Sequence, residues 1–458
     1  MKFYLKIEPM KNYILFIFLL FSFFASSQTA AQWDSIKAGV SPGIAPAFQN
    51  KYESAYRQPL SAYGWEDGIH ISGDGLHLYA LYYPGDLFGF TLFFLNNLNT
   101  LQGCDLLGNP EYIRPYAETF GMDITTNPFD CDTFINVDII YASRASTDLP
   151  FTEWTLSGIA KPASLQGGPM PLFNKTNPAL VDIFMFTGDG DIWIIRNTTA
   201  NPSGIEQAIR LDPPINAVEN EFNADNPHLE RLNGDTLLLV YEKYTNPDFR
   251  DFMYAFSYDD GITWTSPLAM TTVSPALGKI EHPHLYQNPM GEWSFYFSID
   301  CEIYRAKQEI PGNWDSWQDL ELVITKGNSE CVGEPSLTAK GDISFAVVYK
   351  NLVNNDSTDT YDIDPWFLPI KDTVNSVIER NPNFEVSIFP NPFTGSFQIQ
   401  SNIEIEKVIV YNLFGQKVYE SKLNDERTEI LLKNISKGIY FIEIQTPLKL
   451  IRQKMLKN

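Results

Sequence analysis

Acidic side chains recur just ahead of short β-rich runs in the middle of this sequence: Asp67, Asp225, Glu281 and Glu334, with Asn177 at a fifth comparable place. Two carboxyl groups flanking a glycosidic bond are what hydrolysis requires. One donates a proton to the leaving oxygen, the other acts as base or nucleophile, and their separation selects inversion or retention. The same acids ahead of a proline would equally cap a strand or loop with no chemistry attached. His228, His282 and His284 stand beside the same strand starts, where imidazoles either hold a metal or serve as channel and core residues. Asp356, Asp359, Asp362 and Asp364 form an acidic stretch without EF-hand spacing, for which a solvated loop is the simpler reading. Calcium is the ion such a stretch would suit, and no other cofactor is implied.

The elements that must position these residues repeat. Glu281 to Asp300, EHPHLYQNPMGEWSFYFSID, holds an acid before a proline, a short strand over His284 to Gln287, a Pro/Gly turn and an aromatic strand over Trp293 to Ile299. Variants occur at Glu66 to Tyr83, Asn177 to Phe186, Asp225 to Tyr241 and Glu334 to Tyr349. Val137 to Trp154, Phe252 to Trp264 and Glu302 to Trp317 add an outer strand, a polar turn and a closing Trp. About four short strands per repeat is the anatomy of a propeller blade, and roughly five blades fit between residues 65 and 371. The lead-in from Trp33 to Gly64 is placed to complete the last blade, and a sandwich of similar hairpins is the alternative. In a propeller the innermost strands converge on a channel, so Asp67, Asp225 and Glu281 would face one mouth. Trp293, Tyr296, Trp314 and Trp366 either stack on sugars there or fill blade cores.

The balance of 33 Lys and Arg against 56 Asp and Glu gives a net charge of -23, which repels phosphate backbones and excludes nucleic acid as a partner. Lys11, the apolar run Tyr13 to Phe24 and the small residues Ala25 to Ser27 read as an export signal over residues 1–27, with Met10 an alternative start. No later segment could span a membrane, so the mature chain has no transmembrane segment. Export permits disulfides among Cys104, Cys131, Cys301 and Cys331. Neighbourhood favours Cys104 with Cys131 and Cys301 with Cys331, and four buried thiols are the other reading.

Ser257, Asp259, Gly261 and Trp264 match the pattern Ser-x-Asp-x-Gly-x-x-Trp and so resemble the Asp-box of sialidases and other secreted propellers, a hairpin device that speaks to fold. A sialidase would also need an arginine cluster; Arg144, Arg196, Arg231 and Arg305 are available, but the family's Phe-Arg-Ile-Pro motif is absent. After a linker over 372–384, residues 385–458 resemble the type A C-terminal sorting domain of the type IX secretion system of Bacteroidetes. The likeness rests on Pro390, Asn391, Pro392 and Gly395, on Tyr411, Gly415 and Val418, on Gly438, Tyr440 and Phe441, and on the terminal Lys454. It implies a small β-sandwich recognised by the secretion machinery and a secreted or surface-attached product. Glu281, Pro283, His284 and Leu285 resemble the general-acid segment of five-bladed glycoside hydrolases of family 43. That resemblance implies Asp67 as base, Glu281 as acid and Asp225 as the carboxylate that tunes it. Gly68 after the base, Asn177 in place of an acid and Glu281 on the fourth blade instead of the third depart from the family pattern.

The sequence thus predicts an all-β chain: a five-bladed propeller over 33–371, then a small β-sandwich. Its expected role is a surface glycoside hydrolase, or a non-catalytic propeller binding glycan or protein at its mouth.

Overall fold

A computed structural model describes residues 30–83, 137–160, 166–188, 190–217, 224–232, 235–246, 249–351, 360–371, 386–412, 416–446 and 450–458. The export signal, the linker, Cys104, Cys131, Asp356 and Asp359 lie outside them. The chain divides into two compact units, 1–371 and 372–458.

The first unit opens with helix α1 (Ala30–Ala38) and two short strands, β1 (Gly43–Ile44) and β2 (Tyr56–Arg57). Five antiparallel blades follow. Blade I holds β3 (Trp65–Ile71), β4 (His77–Tyr83), β5 (Asp138–Ser143) and β6 (Thr155–Leu156). Blade II holds β7 (Gln166–Phe173), β8 (Leu180–Gly188), β9 (Asp191–Thr199) and β10 (Ile209–Arg210). Blade III holds β11 (Ala224–Arg231), β12 (Leu237–Asn246), β13 (Phe249–Ser257) and β14 (Leu268–Ala269). Blade IV holds β15 (Ile280–Gln287), β16 (Trp293–Ile299), β17 (Glu302–Gln308) and β18 (Trp317–Thr325). Blade V holds β19 (Cys331–Leu337), β20 (Ile343–Asn351) and β21 (Thr360–Leu368), and β2 supplies its outer strand by pairing with β21. The lead-in therefore closes the ring: β1 edges blade IV, β2 edges blade V, and Ile363 of β21 bridges to Trp65 of β3.

Middle strands are apolar on both faces because each blade is packed between two neighbours. On β12, Leu237, Leu239 and Tyr241 meet Ile183 and Met185 of blade II, while Leu238 and Val240 meet Phe295 and Phe297 of blade IV. Full burial of each such side chain contributes about 1.5–3 kcal/mol. The tryptophans serve the same core. Trp314, Tyr296 and Trp366 are buried and Trp293 packs against Trp314 at 5.2 Å, so the four candidate sugar platforms are blade filling. The disulfide Cys301–Cys331 ties the β16–β17 turn to the start of β19.

Two sequence assignments change. Asn177 is exposed in the β7–β8 turn, and blade II begins earlier, at QGGPMPLF; its Gly-Gly-Pro reads as a turn and carries no acid. Asp362 and Asp364 are not in a loop but buried in β21, where Lys37 of α1 lies 2.8 Å from each.

The second unit is one five-stranded sheet of β22 (Val386–Phe389), β23 (Ser396–Asn412), β24 (Lys417–Leu431), β25 (Gly438–Gln445) and β26 (Leu450–Lys457). β22 and β25 pair with different halves of the same edge of β23, and the register shifts between Gln400 and Ile405. The sheet curls there, sandwich-like, over Phe393, Phe397, Ile405, Val408, Ile442 and Met455.

Candidate active site at the propeller mouth

All five innermost strands carry the same irregularity. Each shifts register across a four-residue step: Asp67 to His70, Gly167 to Met170, Asp225 to His228, Glu281 to His284 and Gly333 to Ser336. The second residue of each step is left-handed, with φ of 61° at Gly68, 51° at Gly168, 46° at Asn226, 60° at His282 and 58° at Glu334. The third is Ile69, Pro169, Pro227, Pro283 or Pro335. A bulge unpairs backbone groups from the ladder, and proline has no N–H to leave stranded. The repeated bulge brings Asp67, Asp225 and Glu281 to one level of the ring, all half-buried. Glu334 sits one step further along, in register with His282.

The carboxyls satisfy the donors the bulges release. Gly68 N–H donates to Asp67 Oδ1 at 3.0 Å, Asn226 N–H to Asp225 Oδ1 at 2.8 Å, and His282 N–H to Glu242 Oε1. Ile69, the one residue at its level with an N–H, donates to Glu334 Oε2 at 2.9 Å.

Two carboxyl pairs result. At the seam of blades I and V, Asp67 is hydrogen-bonded to the buried Glu334. Burial and the charge of Asp67 push Glu334 well above the usual carboxylate range. Burial would raise Asp67 too, but the Glu334 hydrogen bond, His282 and the Trp65 indole N–H, 2.9 Å from Oδ2, bring it below its ordinary value. On blade III, burial and the neighbouring Glu242 raise Asp225, which also accepts from Tyr244 Oη at 3.1 Å. Burial opposes ionisation of Glu242 as well, yet Arg250 and His282 hold it below the usual range. The Arg250 guanidinium pairs with Glu242, lies 3.2 Å from Glu281 Oε1 and stacks 4.6 Å from the Tyr244 ring centroid. Lys279 adds a second cation 3.1 Å from Glu281 Oε1.

Below this level His70, His228 and His284 converge, with ring centroids 4.4 Å apart for His228 and His284 and 6.2 Å for His70 and His284. Burial drives His70 down to about 3 and His284 well below its ordinary value, so both rings are neutral at pH 7. Leu337 N–H donates to His284 Nε2 at 3.0 Å, and Glu230 lies 3.2 Å from His228 Nε2. Among the described residues no three His, Cys, Asp or Glu side chains are grouped to hold a metal ion. Nor do the four arginines gather at the mouth: Arg144 stacks on Phe151, Arg196 and Arg231 bind Asp260, and Arg305 pairs with Glu321.

Sequence reasoning found Asp67, Asp225, Glu281 and Glu334 but missed Glu242 and Arg250. Glu242 did leave a signal, since it directly follows the apolar run LLLVY on the same strand, and its charge is fully buried. Arg250 comes from the far strand of the β12–β13 hairpin, which no local pattern connects to the bulges.

A secretion system C-terminal sorting domain model matches residues 387–458. This part of the chain is a type IX sorting domain, which marks the protein for secretion or attachment at the outer surface. No helix among the described residues is long and apolar enough to cross a membrane. An ulvan lyase of Nonlabens ulvanivorans is 39% identical over 61 residues, 13% of this chain and 11% of that protein, so the chain matches only a small part of its relative. Among solved structures, an α-L-arabinofuranosidase from Podospora anserina has 7% identity and a TM-score of 0.40 over 73% of this chain and 95% of that one. A protein of unknown function from Dyadobacter fermentans has 10% identity and a TM-score of 0.36 over 70% and 98%. Neither likeness bears on the chemistry, which rests on the side chains.

Proposed function

We propose that this protein is a secreted glycoside hydrolase whose acid and base are carboxyls of the propeller mouth. One arrangement carries the reading: two half-buried carboxyls at the same level of the ring are shifted in opposite directions, each beside a buried carboxyl partner. Asp67 is drawn below its ordinary value beside Glu334, which is pushed well above its own, and Asp225 is pushed up beside Glu242, which is held down. Environments that drive neighbouring carboxyls apart mark the acid and base of a site. In a ring of five, blade III faces the seam of blades V and I, so the two pairs lie across the axis from each other. Asp67 then acts as base or nucleophile and Asp225 as proton donor, while Glu281, held by Arg250 and Lys279, orients the guanidinium. This moves the proton donor from Glu281, the residue the family resemblance implies, to Asp225.

The test is a screen of the secreted protein on polysaccharides and aryl glycosides with three variants. Asp67→Asn and Asp225→Asn should each lower kcat/KM by about 10²–10⁴-fold, the usual worth of a general acid or base, and Glu281→Gln by less than tenfold. Loss confined to Glu281→Gln would return the proton donor to Glu281. A second reading, a propeller that binds glycan or protein without cleaving it, is favoured by the bulge-capping hydrogen bonds of Asp67 and Asp225, which need no catalysis. Binding of a glycan with no product release, unchanged in Asp67→Asn, would establish it. Passage through the inner membrane by the signal over residues 1–27 belongs to the same proposal.

A further inference from the structure

Left-handed backbone costs a non-glycine residue about 1–2 kcal/mol, and it persists where surroundings impose it, often at working sites. Three of the five bulges use Gly68, Gly168 and Asn226, which tolerate the conformation. Blades IV and V instead place His282 and Glu334 there, and these two side chains meet, His282 Nε2 lying 3.3 Å from Glu334 Oε1. Gly333 flanks the ring: a Cβ at that position would meet His282 Nδ1 at 3.5 Å, an ordinary contact. Ser298 Oγ of β16 is 3.4 Å from Nδ1 on the other side. The imidazole is 23% exposed and Glu334 only 7%, so the ring stands between water and the buried acid. Its remaining charged neighbours are Asp67 of β3 and Glu242 of β12, the latter paired with Arg250.

We propose that His282 is the proton gate of the Asp67–Glu334 pair. Its place in turnover rests on Asp67 acting as base. When Asp67 takes a proton from the attacking water, the pair holds one proton too many. The Glu334 O–H bond breaks toward His282 Nε2, where an N–H bond forms, and the Asp67 proton moves along the hydrogen bond to Glu334. The imidazolium then releases its proton to water. Asp67 is ionised again, Glu334 is protonated again, and no other co-reactant is needed. The transfer runs through the ring with a proton on Nδ1, facing Ser298, and Nε2 facing Glu334 Oε1 as the acceptor.

The experiment follows protonation of the pair after a pH jump by infrared difference spectroscopy on the full chain, with the carboxyl band assigned by its absence in Glu334→Gln. Two gate variants suit the left-handed backbone: His282→Gly, and His282→Asn, which reproduces the residue of blade III. Both should slow appearance of the band at least tenfold, and added imidazole should restore the rate in His282→Gly but not in His282→Asn. A purely structural histidine would give wild-type rates in both variants, or rates that imidazole leaves unchanged, and either result overturns the gate. The readout does not depend on hydrolysis: slowed, imidazole-rescued protonation with no glycan cleaved would uphold the gate and remove the hydrolase reading.

Discussion

Replacing Lys37 with methionine removes the cation that binds the N-terminal helix into the ring. The ammonium lies 2.8 Å from Asp362 Oδ2 and 2.8 Å from Asp364 Oδ1, with side chains 0%, 4% and 0% exposed, and also donates to Ala62 O at 3.3 Å. Arg57 would then be the remaining cation paired with Asp364, with buried Glu66 close by. Breaking a buried ion pair from one side costs about 3–5 kcal/mol, because the surviving charge stays buried. Burial raises Asp362 to about 7 even with Lys37 opposing it. Its folded value thus lies above the unfolded one, near 3.9. Between those values the folded state binds more protons, so this group stabilises the fold fully at low pH and loses that contribution as pH rises through about 7. Without Lys37 the acid protonates at still higher pH, and each unit of that shift offsets about 1.4 kcal/mol of the loss at pH values where Asp362 is protonated. Urea unfolding of the full chain at pH 5 and pH 8 should therefore show a deficit of about 3–5 kcal/mol at pH 8 and a clearly smaller one at pH 5. Equal deficits at both pH values, or less than about 1 kcal/mol at pH 8, would refute the buried-charge account.

Other parts of the molecule give independent outcomes. Cys301→Ser with Cys331→Ser opens a loop with a sequence separation of 30, and chain-entropy reasoning puts the cost at about 3.6 kcal/mol, read as a lower urea midpoint. Gly68→Ala forces a Cβ to 3.3 Å from Gly168 N and 3.4 Å from Leu81 Cβ at a φ of 61°. It should lower stability by about 1–3 kcal/mol in the same assay. In the sorting domain, Lys457 Nζ donates to Leu432 O at 2.6 Å, Ile435 O at 2.9 Å and Lys433 O at 3.3 Å. Lys457→Met strands those carbonyls and should speed proteolysis of residues 386–458 with no change in the propeller's unfolding. Deleting residues 386–458 should stop delivery past the outer membrane, measured by surface labelling, while the propeller stays folded.

The hairpin grammar was legible because turn residues and strand pattern agreed: Glu281 to Ile299 forms β15 and β16 where Pro, Asn and Gly mark the turn. Five blades and the ring-closing lead-in followed from the same repeat, and the Cys301–Cys331 bridge from closeness in sequence. Blade II was misread because NPALVDIFMF looks more strand-like than QGGPMPLF, whose prolines and glycines belong to a bulge. Bulge register was invisible. One residue separates Glu334 from the place of Glu281, and that single step turns a presumed counterpart into the partner of Asp67 and His282. The buried partners Glu66 and Lys37 were hidden for a different reason, since what pairs with them is distant in sequence, while Glu242 meets Arg250 across the β12–β13 hairpin.

Asp67 drawn down and Asp225 pushed up make the first the base and the second the proton donor of one mouth. The pH profile of kcat/KM on the best glycan substrate tests this assignment most directly. The wild-type enzyme should give a bell. Residual activity of Asp67→Asn should lose the acidic limb and that of Asp225→Asn the basic limb. A bell whose two limbs survive both substitutions would contradict the assignment.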